Sequence, residues 1–317
     1  MADFAGEALK GAVLIAGPTA SGKSALALRL ARALGGVVVN ADSMQVYSVL
    51  DVVTARPSAD ELEAAPHLLY GHVHPSQPYS TGAWLRDVAD LAAGGAFAER
   101  RPIFTGGTGL YFKALTEGLS RMPDIPAEVR DRWRKALADV GAPELHRVLA
   151  RDDPEAARRI RPSDGQRIAR ALEVLEASGR SITAWQGDRA PPLVDRDSAS
   201  LFTIEPDRDE LGARIARRLG QMVEKGALDE VRALLALGLP PAMPAMKAIG
   251  VPEFGAVIEG RMPLDEAVER AAAATRQYAR RQSTWMRGQF GQDWRRVGHP
   301  EDVEPADVRP RGPATAS

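Results

Sequence analysis

The stretch Gly17-Pro18-Thr19-Ala20-Ser21-Gly22-Lys23-Ser24 constrains this chain more than any other feature. It matches G-x-x-x-x-G-K-[ST], a loop whose backbone N–H groups surround phosphate oxygens. The apolar run Gly11-Ala12-Val13-Leu14-Ile15-Ala16 leads into it as a buried strand. Ser24-Ala25-Leu26-Ala27-Leu28-Arg29-Leu30 leads out of it as a helix, and Gly35-Gly36 stops that helix. The glycines let the backbone curl around an oxyanion, Lys23 adds a point charge, and the Ser24 hydroxyl can reach a bound Mg2+. A strand-to-helix turn with a chance match is the bland alternative. With strand, loop and helix in order, a phosphate-bearing small molecule is the expected ligand.

Strand and helix continue to alternate through the first third. Val37-Val38-Val39-Asn40-Ala41-Asp42 is a β-branched run with a polar end, and Arg101-Pro102-Ile103-Phe104-Thr105 runs into Gly106-Gly107-Thr108-Gly109-Leu110-Tyr111. Strands separated by helices imply a parallel sheet covered on both faces. Ligands of such sheets sit at the carboxyl ends of the strands, so residues 17–24, 42–45 and 106–111 are expected to converge on one crevice. From Gly118 to Arg189 the chain is charged and helical, broken at Pro143, Pro154, Pro162 and Gly179. Residues 188–200 resemble a linker, Leu201-Phe202-Thr203-Ile204 a returning strand, and helices follow to about Phe290. The expected fold is α/β, a P-loop NTPase-like parallel sheet with helices on both faces plus an inserted all-helical domain. Residues 1–118 and 201–299 would form the core and 119–200 the insertion. The proline-rich, polar residues 300–317 would form a disordered tail.

A chain of 317 residues can bury a substantial core. The absence of cysteine excludes disulfides, thiolate nucleophiles and cysteine-ligated metals. No apolar run approaches the roughly 18 residues a membrane span needs, and Met1–Glu7 lacks the basic-then-apolar order of a signal peptide. A cytoplasmic location without membrane contact is expected. A net charge of −1 says little, because 41 bases and 42 acids can still be segregated on the surface.

Asp42, just past a strand end, supports three readings. It could hold magnesium through water, take a proton from a nucleophile, or cap a turn. A nucleoside triphosphatase usually has a second acid at a strand end near the loop, yet here that strand ends in Thr105-Gly106-Gly107-Thr108. An enzyme that transfers something other than to water fits better. Between Ala271 and Gln292 there is no acid, while Arg276, Arg280 and Arg287 share a helix face interleaved with Tyr278, Trp285 and Phe290. Arg158-Arg159-Ile160-Arg161, Arg167 and Arg170 form a second basic feature. Both suit a nucleic-acid backbone; solvated helix faces over core aromatics are the alternative.

These segments together resemble the bacterial tRNA dimethylallyltransferases, or tRNA isopentenyltransferases. The resemblance rests on the loop, on Asn40-Ala41-Asp42-Ser43-Met44-Gln45-Val46-Tyr47 and on Gly106-Gly107-Thr108-Gly109-Leu110-Tyr111. It continues through Gln166-Arg167-Ile168-Ala169-Arg170-Ala171-Leu172-Glu173, Lys247-Ala248-Ile249-Gly250 and Thr275-Arg276-Gln277-Tyr278-Ala279-Arg280-Arg281-Gln282. It spans nearly the whole chain from Gly11 to Arg287. It implies transfer of a dimethylallyl group from its diphosphate to N6 of adenosine 37, beside the anticodon of certain tRNAs. Diphosphate held by Gly17–Ser24 would leave, with Lys23, the Thr19 hydroxyl and Mg2+ at Ser24 stabilising its charge. Asp42 would act as the base. Counting back from Met222 and Gly226 places the family's second diphosphate arginine on Arg218, with Arg217 adjacent.

The resemblance also implies contacts to the tRNA anticodon stem-loop from Asp42, Ser43, Met44, Gln45 and Thr108. Further contacts are implied for Gln166, Arg167, Ile168, Ala169, Arg170, Lys247, Ala248, Ile249, Gly250, Val251 and Pro252. Arg130 would touch the anticodon stem, and Arg276 and Arg280 the RNA backbone. A base must be extruded to present its N6 to a buried site. The family commonly has Ile-Gly-Tyr followed by a basic or amide residue where this chain has Ile249-Gly250-Val251-Pro252, and His67-Leu68-Leu69-Tyr70-Gly71 also departs from its pattern. No heptad or apolar stripe argues for an obligate dimer, so a monomer is expected. A small-molecule or nucleotide kinase, and a non-catalytic RNA-binding protein, are the competing classes.

Overall fold

Every residue of β1 (Val13–Ala16) is buried, as a strand covered on both faces requires. In the computed structural model, which describes residues 7–310, β1 belongs to a six-stranded sheet. Its other strands are β2 (Gly36–Asn40), β3 (His67–Leu68), β4 (Arg101–Gly106), β5 (Ser200–Ile204) and β6 (Arg295–Val297). The order is β3-β2-β4-β1-β5-β6, and every pairing is parallel. The helices α1 (Lys23–Leu34), α2 (Ala59–Ala64), α3 (Thr81–Ala93) and α4 (Gly109–Glu117) accompany the first four strands. Then come α5 (Ala127–Asp152), α6 (Pro154–Arg159), α7 (Gly165–Ser178) and α8 (Ile182–Gln186). After β5 follow α9 (Arg208–Glu224), α10 (Ala227–Ala236), α11 (Val251–Ile258) and α12 (Leu264–Gln289).

Side chains alternate across the sheet with a period of two. Val13 and Ile15 of β1, Val38 of β2, Ile103 of β4 and Phe202 and Ile204 of β5 pack with Leu26, Ala27, Leu30 and Ala31 of α1. Phe104, next to Ile103 and therefore on the opposite face, meets Trp84 of α3 edge-on, and Trp84 stacks on Tyr111 of α4 at 4.2 Å. This is the expected P-loop NTPase-like sheet with both faces covered. Among the described residues no helix is long and apolar enough to cross a membrane.

The described residues divide into two compact units, Glu117–Pro191 and the rest of them. The helical unit has its own core, formed by residues such as Ile125, Leu145, Leu149, Ile168, Leu172 and Ile182. Gly141, in the left-handed region at φ 80°, interrupts α5, while Asp153 caps α6 and Gly179 ends α7 at φ 66°.

Two boundaries expected from the sequence are corrected. Residues 192–200 pack with the sheet rather than the insertion: Leu193 and Val194 are buried, the Leu9 N–H donates to the Leu193 carbonyl, and Ser200 begins β5. The segment from Pro300 is not a disordered tail as far as residue 310. It forms short 3-10 turns at Pro300–Asp302 and Pro305–Asp307 and buries Val303 and Val308 against the α1 face. Arg29 of α1 donates to the Pro300 carbonyl at 2.6 Å. Two valines five residues apart supply an apolar anchor that composition averaged over the segment conceals. Residues 311–317 of that expected tail lie outside the described residues.

Candidate active site

The sheet register sets the geometry. Ala16 at the end of β1 pairs with Gly106, and Asn40 at the end of β2 pairs with Thr105, so three chain segments leave the same edge side by side. β4 lies between the strand that leads to the phosphate loop and the strand that leads to Asp42. Its terminal glycines are there because neighbours crowd them. A Cβ on Gly106 would lie 2.1 Å from the Ala41 carbonyl, and one on Gly107 would lie 2.0 Å from Gln282 Nε2 and 3.3 Å from Asp42 Oδ2.

The turn carrying Asp42 is built around the fully buried Asn40. The Asn40 side-chain oxygen accepts the Asp42 N–H at 2.8 Å, and its Nδ2 donates to the carbonyls of Asp42 and Leu69 at 3.0 and 2.9 Å. Asp42 Oδ1 accepts the Met44 N–H at 2.9 Å. Asp42 therefore does cap its own turn, and the same bond aims its second oxygen toward Gly107 and the crevice.

The phosphate loop is closed by its own backbone. Gly22 takes φ 89° at the start of α1, and Ala20 takes φ 63°. Ser21 N–H donates to the Pro18 carbonyl at 3.2 Å, and Lys23 Nζ donates to the same carbonyl at 3.1 Å. Ser21 is fully buried and Pro18 is buried beside it. Gly17 is tight, because a Cβ there would meet Ser21 Oγ at 2.8 Å.

Loop and turn open on one cavity of about 840 Å³, lined by Thr19, Lys23, Ser24, Asp42, Gln45 and Arg218 among others. Val52, Ala55, Leu62 and Met222 give it an apolar wall. Burial lowers the Lys23 ammonium to about 8; the Asp42 charge opposes this and Arg218 adds to it. Burial also lowers the Arg218 guanidinium, with Glu61 opposing. The phenols of Tyr70, Tyr111 and Tyr278 are pushed up, first by burial and next by the negative charge of Asp42, so they remain neutral donors near that carboxylate. A cavity in which Lys23 and Arg218 lie beside the phosphate loop, with the directed Asp42 carboxylate and an apolar wall, suits a ligand that is anionic at one end and greasy at the other.

Of the two adjacent arginines, Arg218 lines this cavity, whereas Arg217 is exposed and lines a neighbouring hollow of about 300 Å³ that also takes in Arg214 and Arg218. Gln45 faces the cavity, but its Nε2 donates to the carbonyls of Thr54 and Ala55, both at 2.9 Å, and so holds the cavity wall. Ser43 N–H donates to Thr108 Oγ1, and Met44 is half-buried.

The remaining expected partner contacts divide by burial. Lys247 and Pro252 are exposed and Ile249 is half-buried. Gly250 starts α11 at φ 100°, and Pro252 stands in the first turn of that helix, where no intrahelical hydrogen bond is lost. In the helical unit Gln166 and Arg167 are exposed, Arg170 pairs with the buried Glu173 at 3.3 Å, and Arg130 is half-buried. Ile168, Ala169, Ala248 and Val251 are core residues. Their side chains cannot touch a partner, which corrects the expectation for those four. On α12, Arg280 is exposed and Arg276 half-buried, while Arg287 is paired with Glu205 at 2.9 Å. Phe290 stacks on Trp294 at 3.9 Å and meets Trp285 edge-on, so these aromatics of the basic stripe are packing residues.

Two residues of this site escaped the sequence. Gln282, 6% exposed, accepts the Thr19 N–H and donates to the Gly107 carbonyl. The Glu230 carboxylate accepts the N–H groups of Asp51, Val52 and Val53, the last two at 2.8 and 2.7 Å, and so shapes the loop forming the cavity wall. A signal existed for Gln282: it occupies the buried side of α12, among Ala271, Ala279 and Met286, where an apolar residue would be the rule.

The oxygen donors facing the cavity fit Mg2+. Ser24 and the Asp42 carboxylate line it, as does Thr105, whose buried hydroxyl has no hydrogen-bond partner. Among the described residues no three His, Cys, Asp or Glu side chains gather as a dedicated metal cage. A few hard oxygens with room for water and phosphate are what this ion takes.

The profile of a family described as IPP transferase matches residues 45–289, and one described as isopentenyl transferase matches residues 10–70. The chain is 64% identical over 286 residues to a tRNA dimethylallyltransferase of Chelativorans sp., covering 90% of this chain and 98% of that relative. It is 60% identical over 296 residues to a protein of the same name from Mesorhizobium japonicum, covering 93% and 92%. Among solved structures it is similar to the tRNA isopentenylpyrophosphate transferase of Bacillus halodurans, at TM-score 0.65 and 31% identity over 93% of this chain and 91% of the other. It is also similar to a eukaryotic dimethylallyltransferase acting on tRNA, at TM-score 0.74 and 26% identity over 87% and 70%.

Proposed function

The chain belongs to the bacterial tRNA dimethylallyltransferase (tRNA isopentenyltransferase) family, and from that premise we propose that it transfers a dimethylallyl group from dimethylallyl diphosphate to N6 of adenosine 37 of tRNA, yielding N6-isopentenyladenosine and diphosphate. The observation that carries this reading is the single cavity shared by Lys23, Arg218, Asp42 and an apolar wall. The anionic end of the donor sits on the N–H groups that open α1 at the end of the loop, with Lys23, Arg218 and the Thr19 hydroxyl around it. Its five-carbon end lies against side chains such as Val52 and Met222. The adenine, extruded from the anticodon loop, brings N6 to the allylic carbon.

In the transfer the N6–C bond forms as the C–O bond to diphosphate breaks. The leaving electron pair goes to the diphosphate oxygen, whose growing charge the loop and the two cations stabilise. An aromatic amine is a weak nucleophile, so Asp42 takes its proton through the oxygen not bonded to Met44 N–H. Mg2+ would be held by Ser24 and the donor's phosphate oxygens, and would supply further neutralisation of the leaving charge. Exposed residues such as Gln166, Arg167, Lys247 and Arg280 are suited to the RNA.

Labelled dimethylallyl diphosphate and unmodified tRNA, followed by mass analysis of residue 37, test the reading beside an ATP-consumption assay. A five-carbon adduct formed without ATP is the expected result. Turnover that requires ATP and leaves residue 37 unmodified overturns it in favour of a kinase.

A further inference from the structure

Gln282 sits on the buried side of α12, between Ala279 and Met286, and is the polar exception on that side. Burying a carboxamide in such a place is unfavourable unless its polar atoms are bonded. Its Oε1 accepts the Thr19 N–H at 3.0 Å, and its Nε2 donates to the Gly107 carbonyl at 2.9 Å. The two partners dictate the amide's orientation, because one is a donor and the other an acceptor. Thr19 belongs to the loop around the diphosphate. Gly107 lies against Asp42, as the 3.3 Å approach of its would-be Cβ to Oδ2 requires. One side chain from a helix 263 positions away in sequence from the loop therefore spans from the leaving-group side of the site to the side of the base.

We propose that Gln282 is a positioning residue that sets the separation between the diphosphate-gripping loop and Asp42. The inference rests on the prenyl-transfer reading and deepens it. The reaction needs the acceptor nitrogen, the allylic carbon and the leaving oxygen in line, with the base within reach of the departing proton. Loop and base ride on β1 and β2, which do not touch, because β4 stands between them. Beyond the strand ends, where the ladders from β4 to β1 and β2 stop, side-chain hydrogen bonds across that gap add to holding the two halves of the chemistry in one arrangement. A displacement of an ångström in such a constellation costs on the order of a hundredfold in rate. Gln282 touches neither substrate in this account and acts only through Thr19 and Gly107.

The test compares Gln282→Met, which fills the volume without the two bonds, with Gln282→Glu, which keeps the acceptor and loses the donor. Prenyl transfer is followed from pH 6 to 8, well below each variant's own melting temperature, beside tRNA binding. Both variants are expected to lose at least tenfold in kcat, while donor KM and tRNA Kd stay within about threefold. When protonated, a glutamate at 282 can donate to the Gly107 carbonyl while still accepting from Thr19. Burial and the Asp42 charge disfavour its ionised form, while the neutral Tyr278 phenol, which hydrogen-bonds the side chain at 282, favours it. With the first two prevailing, its deficit relative to wild type should shrink as the pH falls. Turnover of Gln282→Met within twofold of wild type overturns the proposal, as does a loss confined to KM or a Gln282→Glu deficit that is flat across pH. Should Gln282→Met fail to fold, the pH series on Gln282→Glu decides. Wild-type protein that prenylates no tRNA would instead sink the functional reading itself.

Discussion

The backbone N–H of Ser43 donates to the Thr108 hydroxyl at 2.9 Å, and the Thr108 N–H donates back to the Ala41 carbonyl at 3.2 Å. These two bonds tie the turn that carries Asp42 to the turn that follows β4. The orientation of the carboxylate thus depends on a residue 65 positions further along the chain.

Thr108→Val keeps the shape and removes the acceptor for Ser43 N–H. A partly buried donor left without a partner costs about 1–3 kcal/mol, and the Asp42 turn should loosen. The expected outcome is a kcat several-fold to tenfold lower and a reduced denaturant midpoint. Chemical unfolding and single-turnover transfer, measured side by side, check it; a variant equal to wild type in both contradicts the lock.

Asp42→Asn can retain the bond from Met44 N–H but cannot take a proton. Transfer should fall by a factor of about 10²–10⁴, the usual contribution of a positioned base. Affinity for tRNA should stay within a few-fold, since the lost group acts mainly in the transition state. Rapid-quench kinetics and filter binding separate the two quantities. Equal losses in binding and rate would assign Asp42 to RNA contact alone.

Lys23 gives a pH dependence with a definite sign. In the unliganded protein burial brings it to about 8, so the ammonium is present below that pH and lost above it. A bound diphosphate favours the charged form, and donor affinity should therefore weaken as pH rises through about 8, by up to tenfold per unit. The contribution to unliganded stability runs the other way. An unfolded chain holds this proton up to about 10.4, so stability from this group rises between about 8 and 10.4. Donor titrations from pH 7 to 9.5 check the first statement; a profile that is flat in wild type, or unchanged in Lys23→Met, contradicts it.

Glu230→Ala removes the acceptor shared by Asp51, Val52 and Val53. The loop that forms the apolar wall should lose order, with a destabilisation of about 1–3 kcal/mol. Donor KM should rise more than kcat falls, because the damage lies at the prenyl wall and not at the base. Steady-state kinetics with varied donor reads this directly, and a pure kcat effect would show that the loop acts elsewhere.

The parts of the site that were legible early are those written in neighbouring residues. The strand into Gly17, the left-handed Gly22, the stop at Gly35 and the polar end of β2 at Asp42 each follow from a few consecutive side chains and their allowed dihedrals. The continuous burial of the inner strands and the parallel sheet followed from their apolar, β-branched runs. Ile168, Ala169, Ala248 and Val251 face inward although they lie in segments that carry the resemblance, because such a segment names residues without saying which of them face the core. On α7 the roughly 100° step per residue turns Ile168 and Ala169 inward while Gln166 and Arg167 beside them stay exposed.

By itself, then, the order of residues determined the sheet, the phosphate loop and the place of the carboxylate, since all three arise from local geometry. Packing alone decided that Val303 and Val308 anchor the segment after Pro300, and that Gln282 meets both Thr19 and Gly107. Those outcomes depend on which distant surface lands opposite a side chain, and nothing within a few residues of that side chain encodes its neighbour across the fold.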